Sequence, residues 1–181
     1  MRRLRYSVAM SLDGYIAGPG GEADWILMDP DIDFGAIVNE YDTLLMGRGT
    51  FRTSESMGGG GGAGGVKSIV VSRTLKPEDH PGVTIIADDV KRRVMEMKAQ
   101  PGKDIWLFGG GRLFRSLLDA GVVDTVEVAI IPVLLGGGVP LLPPPGARVS
   151  LTLTGHRVYP KTGTVSLAYD VTRPAKKRGR R

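Results

Sequence analysis

The chain has 181 residues, 41% of them apolar and 24% charged, which suits one soluble domain long enough to bury a proper core. It has no cysteine and only two histidines, His80 and His156, so disulfides and thiolate sites are excluded and a metal centre is not expected. The formal charge of +5 is uneven: the terminal KKRGRR holds five basic residues, and without them 19 basic residues face 19 acidic ones.

A basic tail on a neutral body argues against a nucleic-acid groove, which needs interleaved basic and aromatic residues. The expected organisation is a single domain over residues 1–173 followed by a basic, disordered tail over 174–181. No run reaches the roughly 18–20 apolar residues of a membrane span. The N-terminal MRRLRYSVAMSLDG starts basic, but Asp13 soon interrupts its apolar segment. It reads as a first strand rather than a signal peptide, and a cytoplasmic protein is expected.

In chain order, LRYSVAM (4–10) is β-prone, SLDG turns it, and YIAG continues as a strand. Phe34, Ile37, Val38 and Tyr41 fall at i, i+3, i+4 and i+7, which predicts a helix capped by Asp31 or Asp33. TLLMG is a buried strand, and RGTFRTSES starts a short helix. VKSIVVSR and VTIIA are strands. Asp88 or Asp89 caps a helix with Val90, Val94 and Met97 inward, ending near Pro101–Gly102. DIWLFG is a strand and GGRLFRSLLDAG a helix, with Gly121 at its C-terminal end. TVEVAIIPVLLG is a strand, and SLTLTGHRVY and TVSLAYDVT alternate like an antiparallel pair. Strands alternating with helices, then strands alone, imply an α/β sheet that is mostly parallel and ends in that pair.

Two stretches are crowded with glycine. SMGGGGGAGGVKS (56–68) is not a P-loop, because Val66 splits Gly65 from Lys67 and a strand follows instead of a helix. It reads as a flexible loop over Gly58–Gly65, in position to act as a lid. LFGGGRLF (107–114) follows a strand and opens a helix, where glycines let an anion approach outward-pointing N–H groups. It is not the Rossmann fingerprint, since Phe114 stands where a third glycine belongs. LLMGRGTF (44–51) repeats the arrangement with Gly47, Arg48, Gly49 and Thr50, and SIVVSR ends in Ser72 and Arg73. Three strands thus deliver phosphate-seeking groups at their carboxyl ends, where open α/β sheets bind ligands. A dinucleotide carrying a 2′-phosphate fits this set.

VAMSLDGYIAG, LLMGRGTF, IVVSRTL, DIWLFGGGRLF and IIPVLLGGGVPLL together resemble, in this order, the dihydrofolate-reductase-like superfamily. The nearest branch is the reductase domain of the riboflavin-biosynthesis deaminase-reductase, and within it the stand-alone bacterial members. The resemblance runs over about residues 3–171. It implies a three-layer α/β/α fold, NADPH as hydride donor and a homodimer. It also implies that Gly47, Arg48, Gly49 and Thr50 hold phosphates, with Arg48, Ser72 and Arg73 at the 2′-phosphate. Gly109, Gly110, Gly111, Arg112, Leu113 and Phe114 would wrap the pyrophosphate, with a cis Gly109–Gly110 peptide. Ala9 and Ile16 would meet the nicotinamide amide.

On the substrate side, Asp13 matches a substrate-facing aspartate of that branch, with a simple turn former as its alternative. Asp31, or else Asp33, lies nearest the pteridine-binding carboxylate of dihydrofolate reductases, and Trp25 is a pocket wall or core. Asp13 and Asp31 are therefore the candidate catalytic carboxylates. The pathway reductases follow GRGT with DDPxLxxR, which reads the substrate's ribose phosphate, whereas here the segment is glycine.

The expectation is an NADPH-dependent oxidoreductase that transfers a hydride to a small polar heterocycle. It is most like 5-amino-6-(5-phosphoribosylamino)uracil reductase. Dihydrofolate reductase activity and a non-catalytic dinucleotide- or nucleic-acid-binding role are the alternatives.

Overall fold

The computed structural model describes residues 1–56, 58 and 65–172. Among these residues, ten strands form around four α-helices: β1 (Leu4–Ser11), β2 (Tyr15–Ala17), α1 (Phe34–Val38), β3 (Tyr41–Gly47), α2 (Arg48–Ser56), β4 (Lys67–Val71), β5 (Val83–Ile86), α3 (Val90–Ala99), β6 (Asp104–Leu107), α4 (Gly111–Asp119), β7 (Thr125–Ile131), β8 (Val139–Pro140), β9 (Leu151–Tyr159) and β10 (Thr164–Val171). Eight strands make the main sheet in the order β5-β4-β3-β6-β1-β7-β10-β9, and β2 pairs with β8 apart from it. Strands β5 through β7 run parallel, and β10 is antiparallel to both β7 and β9. This is the expected mixed, mostly parallel sheet with an antiparallel C-terminal pair.

The alternation of side chains along each strand builds the layers. Leu4, Tyr6, Leu45, Ile69, Ile105, Leu107, Val126 and Val128 point to one face and pack with Val94 of α3 and Phe114 and Leu117 of α4. Met46 and Val70 point to the other face and bury Phe51 of α2. Tyr6 stacks on Phe114 with ring centroids 3.8 Å apart, tying β1 to α4. Each large apolar side chain so buried contributes roughly 1.5–3 kcal/mol.

Local signals mostly hold. Asp33, not Asp31, caps α1: its carboxylate accepts from the Ala36 amide at 2.8 Å. Gly121 lies just past α4 with φ +70° and donates to the Leu118 carbonyl at 2.9 Å. Asp89 precedes α3, but its carboxylate meets Arg92 at 3.2 Å and caps no amide.

Three expectations are corrected. The first helix stops at Val38, and Tyr41 opens β3, because its ring is buried against Trp106 at 4.9 Å and under Arg5 at 4.8 Å. The strand expected over 125–136 ends at Ile131, because Pro132 has no N–H for the ladder and Val133 turns back to the Ile131 carbonyl. The Gly109–Gly110 peptide is not cis. Gly109 at φ +139° and Gly110 at φ +88° make the turn by positive-φ backbone instead. Most of the Gly58–Gly65 segment and residues 173–181 lie outside the described residues, so the lid and the basic tail fall there as well.

Candidate active site

The site begins with a difference in strand length. β6 ends at Leu107, where it pairs with Leu45 of β3, and its pairing with β1 ends at Tyr6. β3 continues to Gly47, while β1 runs on to Ser11 paired only with β7. Beyond Leu107 the strands β1 and β3 therefore have no strand between them. Phe108 makes one last bond, its amide to the Leu45 carbonyl at 2.9 Å, and the chain then turns through Gly109 and Gly110 into α4. The opening lies at the carboxyl ends of parallel strands, on either side of which the chain order diverges.

The two glycine motifs meet at this opening. A Cβ on Gly110 would stand 3.4 Å from the Thr50 hydroxyl, and one on Gly109 would stand 3.5 Å from the Thr50 methyl. A side chain at Gly47 would reach Leu113 at 3.9 Å. Gly111 is held on its far side, where a Cβ would overlap the Pro140 carbonyl oxygen and lie 3.0 Å from Pro143. Gly110, the residue before α4, carries no capping side chain, so the first-turn amides of Gly111, Arg112 and Leu113 lack intrahelical partners and face the turn. Arg112 is exposed beside them and Phe114 is core. This glycine cradle with bare helix amides fits a pyrophosphate.

The third strand end sits alongside. Arg48 donates from Nη1 to the Thr74 hydroxyl at 2.6 Å. Ser72 is buried, and its hydroxyl accepts from the amides of Thr74 at 3.2 Å and Leu75 at 3.1 Å. Ser72 therefore shapes the turn on which Arg73 stands. Arg73 is 85% exposed, with Asp88 at 4.0 Å. Thr74, unremarked in the sequence, accepts from Arg48 and follows Arg73 in the turn that Ser72 closes.

A cavity of about 410 Å³ opens on the α1 side of the sheet. Its floor includes Ser7, Ala9, Glu127 and Ser166, and its walls include Met28, Phe34 and Trp106. The Trp106 indole donates to the Ser7 carbonyl at 2.8 Å and meets Phe108 edge-on at 5.0 Å. Arg5 closes one end: its guanidinium pairs with both oxygens of Glu127 at 2.8 and 2.9 Å and with Glu40. Burial alone would lower the Arg5 pKa, but Glu127 and Glu40 outweigh it and hold the group charged.

The expected substrate residues do not converge on this cavity. Asp13 accepts from the Ser11 hydroxyl at 2.6 Å and from the amides of Leu135 at 3.1 Å and Gly136 at 2.7 Å. Ser11, helped by those amides, holds the exposed Asp13 carboxyl below its ordinary pKa. Asp31 pairs with Lys161 at 2.6 Å on the surface. Trp25 lines a separate cavity of about 410 Å³ with Asp24, Leu27, Pro132 and Thr162. Ile16 is half-buried in β2.

The carboxylate that anchors this loop is Asp29, which the sequence reading passed over. It is 1% exposed and accepts from the Thr162 amide at 3.0 Å, the Thr162 hydroxyl at 2.9 Å and the Asp31 amide. Burial pushes its pKa up, but these donors outweigh it and the net shift is downward. Arg5 and Glu127 were missed as well. Their signal was a charge inside each of two otherwise β-prone runs, LRYSVAM and TVEVAII.

The sequence profile of the RibD C-terminal domain matches residues 2–165. The uncharacterized YyaP protein of Bacillus subtilis strain 168 is 34% identical over 181 residues, covering 93% of this chain and 94% of YyaP. A provisionally assigned riboflavin biosynthesis protein from Shewanella sp. PV-4 superposes with a TM-score of 0.80 at 25% identity, covering 96% of this chain and all of that one. Dihydrofolate reductase from Enterococcus faecalis, in complex with NADP(H), superposes with a TM-score of 0.68 at 19% identity, covering 94% and 97%. The fold is dihydrofolate-reductase-like. No helix among the described residues is long and apolar enough to cross a membrane.

Proposed function

The chain belongs to the RibD C-terminal domain family, and on that premise we propose that it is a cytoplasmic NADPH-dependent reductase of small polar heterocycles, most like the uracil-type reductase of riboflavin biosynthesis. The observation that carries this is the meeting of MGRGT and FGGG across the gap left by β6, with Thr50 against Gly109 and Gly110. Bound NADPH supplies the hydride. The amides of Gly111, Arg112 and Leu113 hold its pyrophosphate, and Gly47, Gly49 and Thr50 admit the neighbouring phosphates. Arg48 and Arg73 select the 2′-phosphate, since a guanidinium grips phosphate with two parallel bonds, and Ser72 acts by shaping the turn that carries Arg73. Ala9 and Ile16 present backbone atoms to the nicotinamide amide, and the substrate ring lies over Ala9 against Trp106 and Phe34. Asp13 acts by holding the 135–136 loop beside the site. Asp31 and Trp25 sit on the loop that walls the cavity, so their effect is on its position.

The test is a titration with NADPH and NADH that follows quenching of Trp106 and Trp25 fluorescence. NADPH should bind in the micromolar range and NADH much more weakly; silence toward both removes the reading.

We also propose a homodimer through β9. Among the described residues this edge strand has no partner on its outer side, and it exposes Leu151, Leu153 and Val158, an arrangement that invites a second copy. Sedimentation should give twice the chain mass, and a Leu153→Glu variant should sediment as a monomer.

A further inference from the structure

The cavity floor extends well past the reducing centre. Ala9, Ala129, Ser166 and Arg157 are successive partners across β1, β7, β10 and β9. The adjacent row is Ser7, Glu127, Ala168 and Gly155. All eight residues line the same cavity. Apart from Glu127 and the terminal Arg157, every floor position is glycine, alanine or serine. Two neighbouring rows of small residues make a flat trough across four strands. Three strand spacings of about 4.8 Å make it roughly 14 Å long from Ala9 to Arg157.

The charges along the trough are arranged unequally. Arg5 and Glu127 satisfy each other, with Glu40 added. Arg157 has no acidic partner among the described residues; its guanidinium lies over the Tyr159 ring at 4.7 Å. Tyr159 is buried, so the ring is a fixed platform that holds the cation in place while its N–H donors stay free. A cation is thus left open at the end of a flat trough whose other end, at Ala9, is the proposed nicotinamide position.

We propose that this trough is a substrate subsite, and that Arg157 binds the oxyanion, phosphate or carboxylate, at the far end of an elongated substrate whose planar ring is reduced over Ala9. The assignment rests on the reductase reading. It also supplies an anion contact where the glycine segment after GRGT offers none. The trough is not the dimer face. A register shift between Ala168 and Tyr169 pairs Leu151 and Leu153 with Val171 and Tyr169, and Val158 pairs with Val165. These positions alternate with the trough residues and face the α4 side.

The test uses flavin mononucleotide and riboflavin, which share a planar ring and differ by one phosphate. Each is titrated into the full chain, with and without NADPH, while flavin fluorescence is followed. The phosphorylated probe should bind about tenfold more tightly, as expected for a charge-assisted hydrogen bond. Arg157→Ala should erase that difference and Arg157→Lys should restore part of it, with NADPH affinity unchanged in both. Inorganic phosphate and acetate as competitors tell which oxyanion the site prefers. Equal binding of the two probes, or a preference that survives in Arg157→Ala, overturns the proposal. Failure of wild-type protein to bind NADPH would instead strike the reductase reading, and the probe difference measured without NADPH keeps the two failures apart.

Discussion

The sheet is finished differently on either side of β1. Toward β5, strands β6, β3 and β4 are parallel, covered by α2 on one face and by α3 and α4 on the other, and their carboxyl ends carry glycine, serine and arginine turns. Toward β9, only the face shared with α4 is packed. The other face is floored by small residues and roofed by the 28–34 segment and α1. The first half holds its chemistry in turns between elements, where backbone conformation selects residue type. The second half holds it on a strand surface, where chemistry depends on which strands become neighbours. On the proposed reading, the first half serves the cofactor and the second half the substrate.

The largest effect is expected where the glycine turn enters α4. Gly111 opens α4 and abuts Pro140 of β8 and Pro143, which lie outside the main sheet, so Gly111→Val should force α4 and β8 apart. Overpacking against backbone costs about 1–3 kcal/mol or more, and both Tm and NADPH binding should fall together. An unchanged Tm would mean that α4 and β8 are not coupled there.

Arg48→Ala probes the first half alone. It should weaken NADPH about tenfold and leave NADH nearly unchanged, as loss of a charged contact to the 2′-phosphate predicts. Arg73→Ala should show the same selectivity; because Arg73 is 85% exposed, its effect should be the smaller. Equal losses for both nucleotides would contradict the phosphate assignment.

Asp29 probes the second half. Its pKa is depressed in the fold, so its stabilisation is present above the ordinary carboxylate range, near 4, and is lost as pH falls through the lower folded value. Asp29→Asn should lower Tm at neutral pH, and the gap to wild type should close on acidification. A gap that is independent of pH would show that the charge of Asp29 does not hold the loop to Thr162.

Much of the first half is readable from the chain. LFGGGRLF announces itself because its strand-to-helix turn needs glycine where other residues strain, as the positive φ of Gly109 and Gly110 shows, and MGRGTF likewise joins a strand to a helix. The trans Gly109–Gly110 peptide was not readable, since glycine at positive φ can make such a turn with either isomer. The carboxylates were read less well. Asp13, Asp31 and Asp29 look alike in sequence, and only their partners separate a loop tie, a surface ion pair and a buried anchor.

By itself, the sequence determined the order and type of the main-sheet strands and the helices, the parallel sheet with its antiparallel end and the glycine-rich strand-to-helix turns. These follow from local periodicity, capping and turn chemistry. The tertiary structure decided that β6 stops short between β1 and β3, that Thr50 closes on the second glycine turn, and that Ala9, Ala129, Ser166 and Arg157 form one row. Such a row joins residues up to 157 positions along the chain, and it exists only because hydrogen-bond register, set by packing of the whole sheet, brings four distant strands into step.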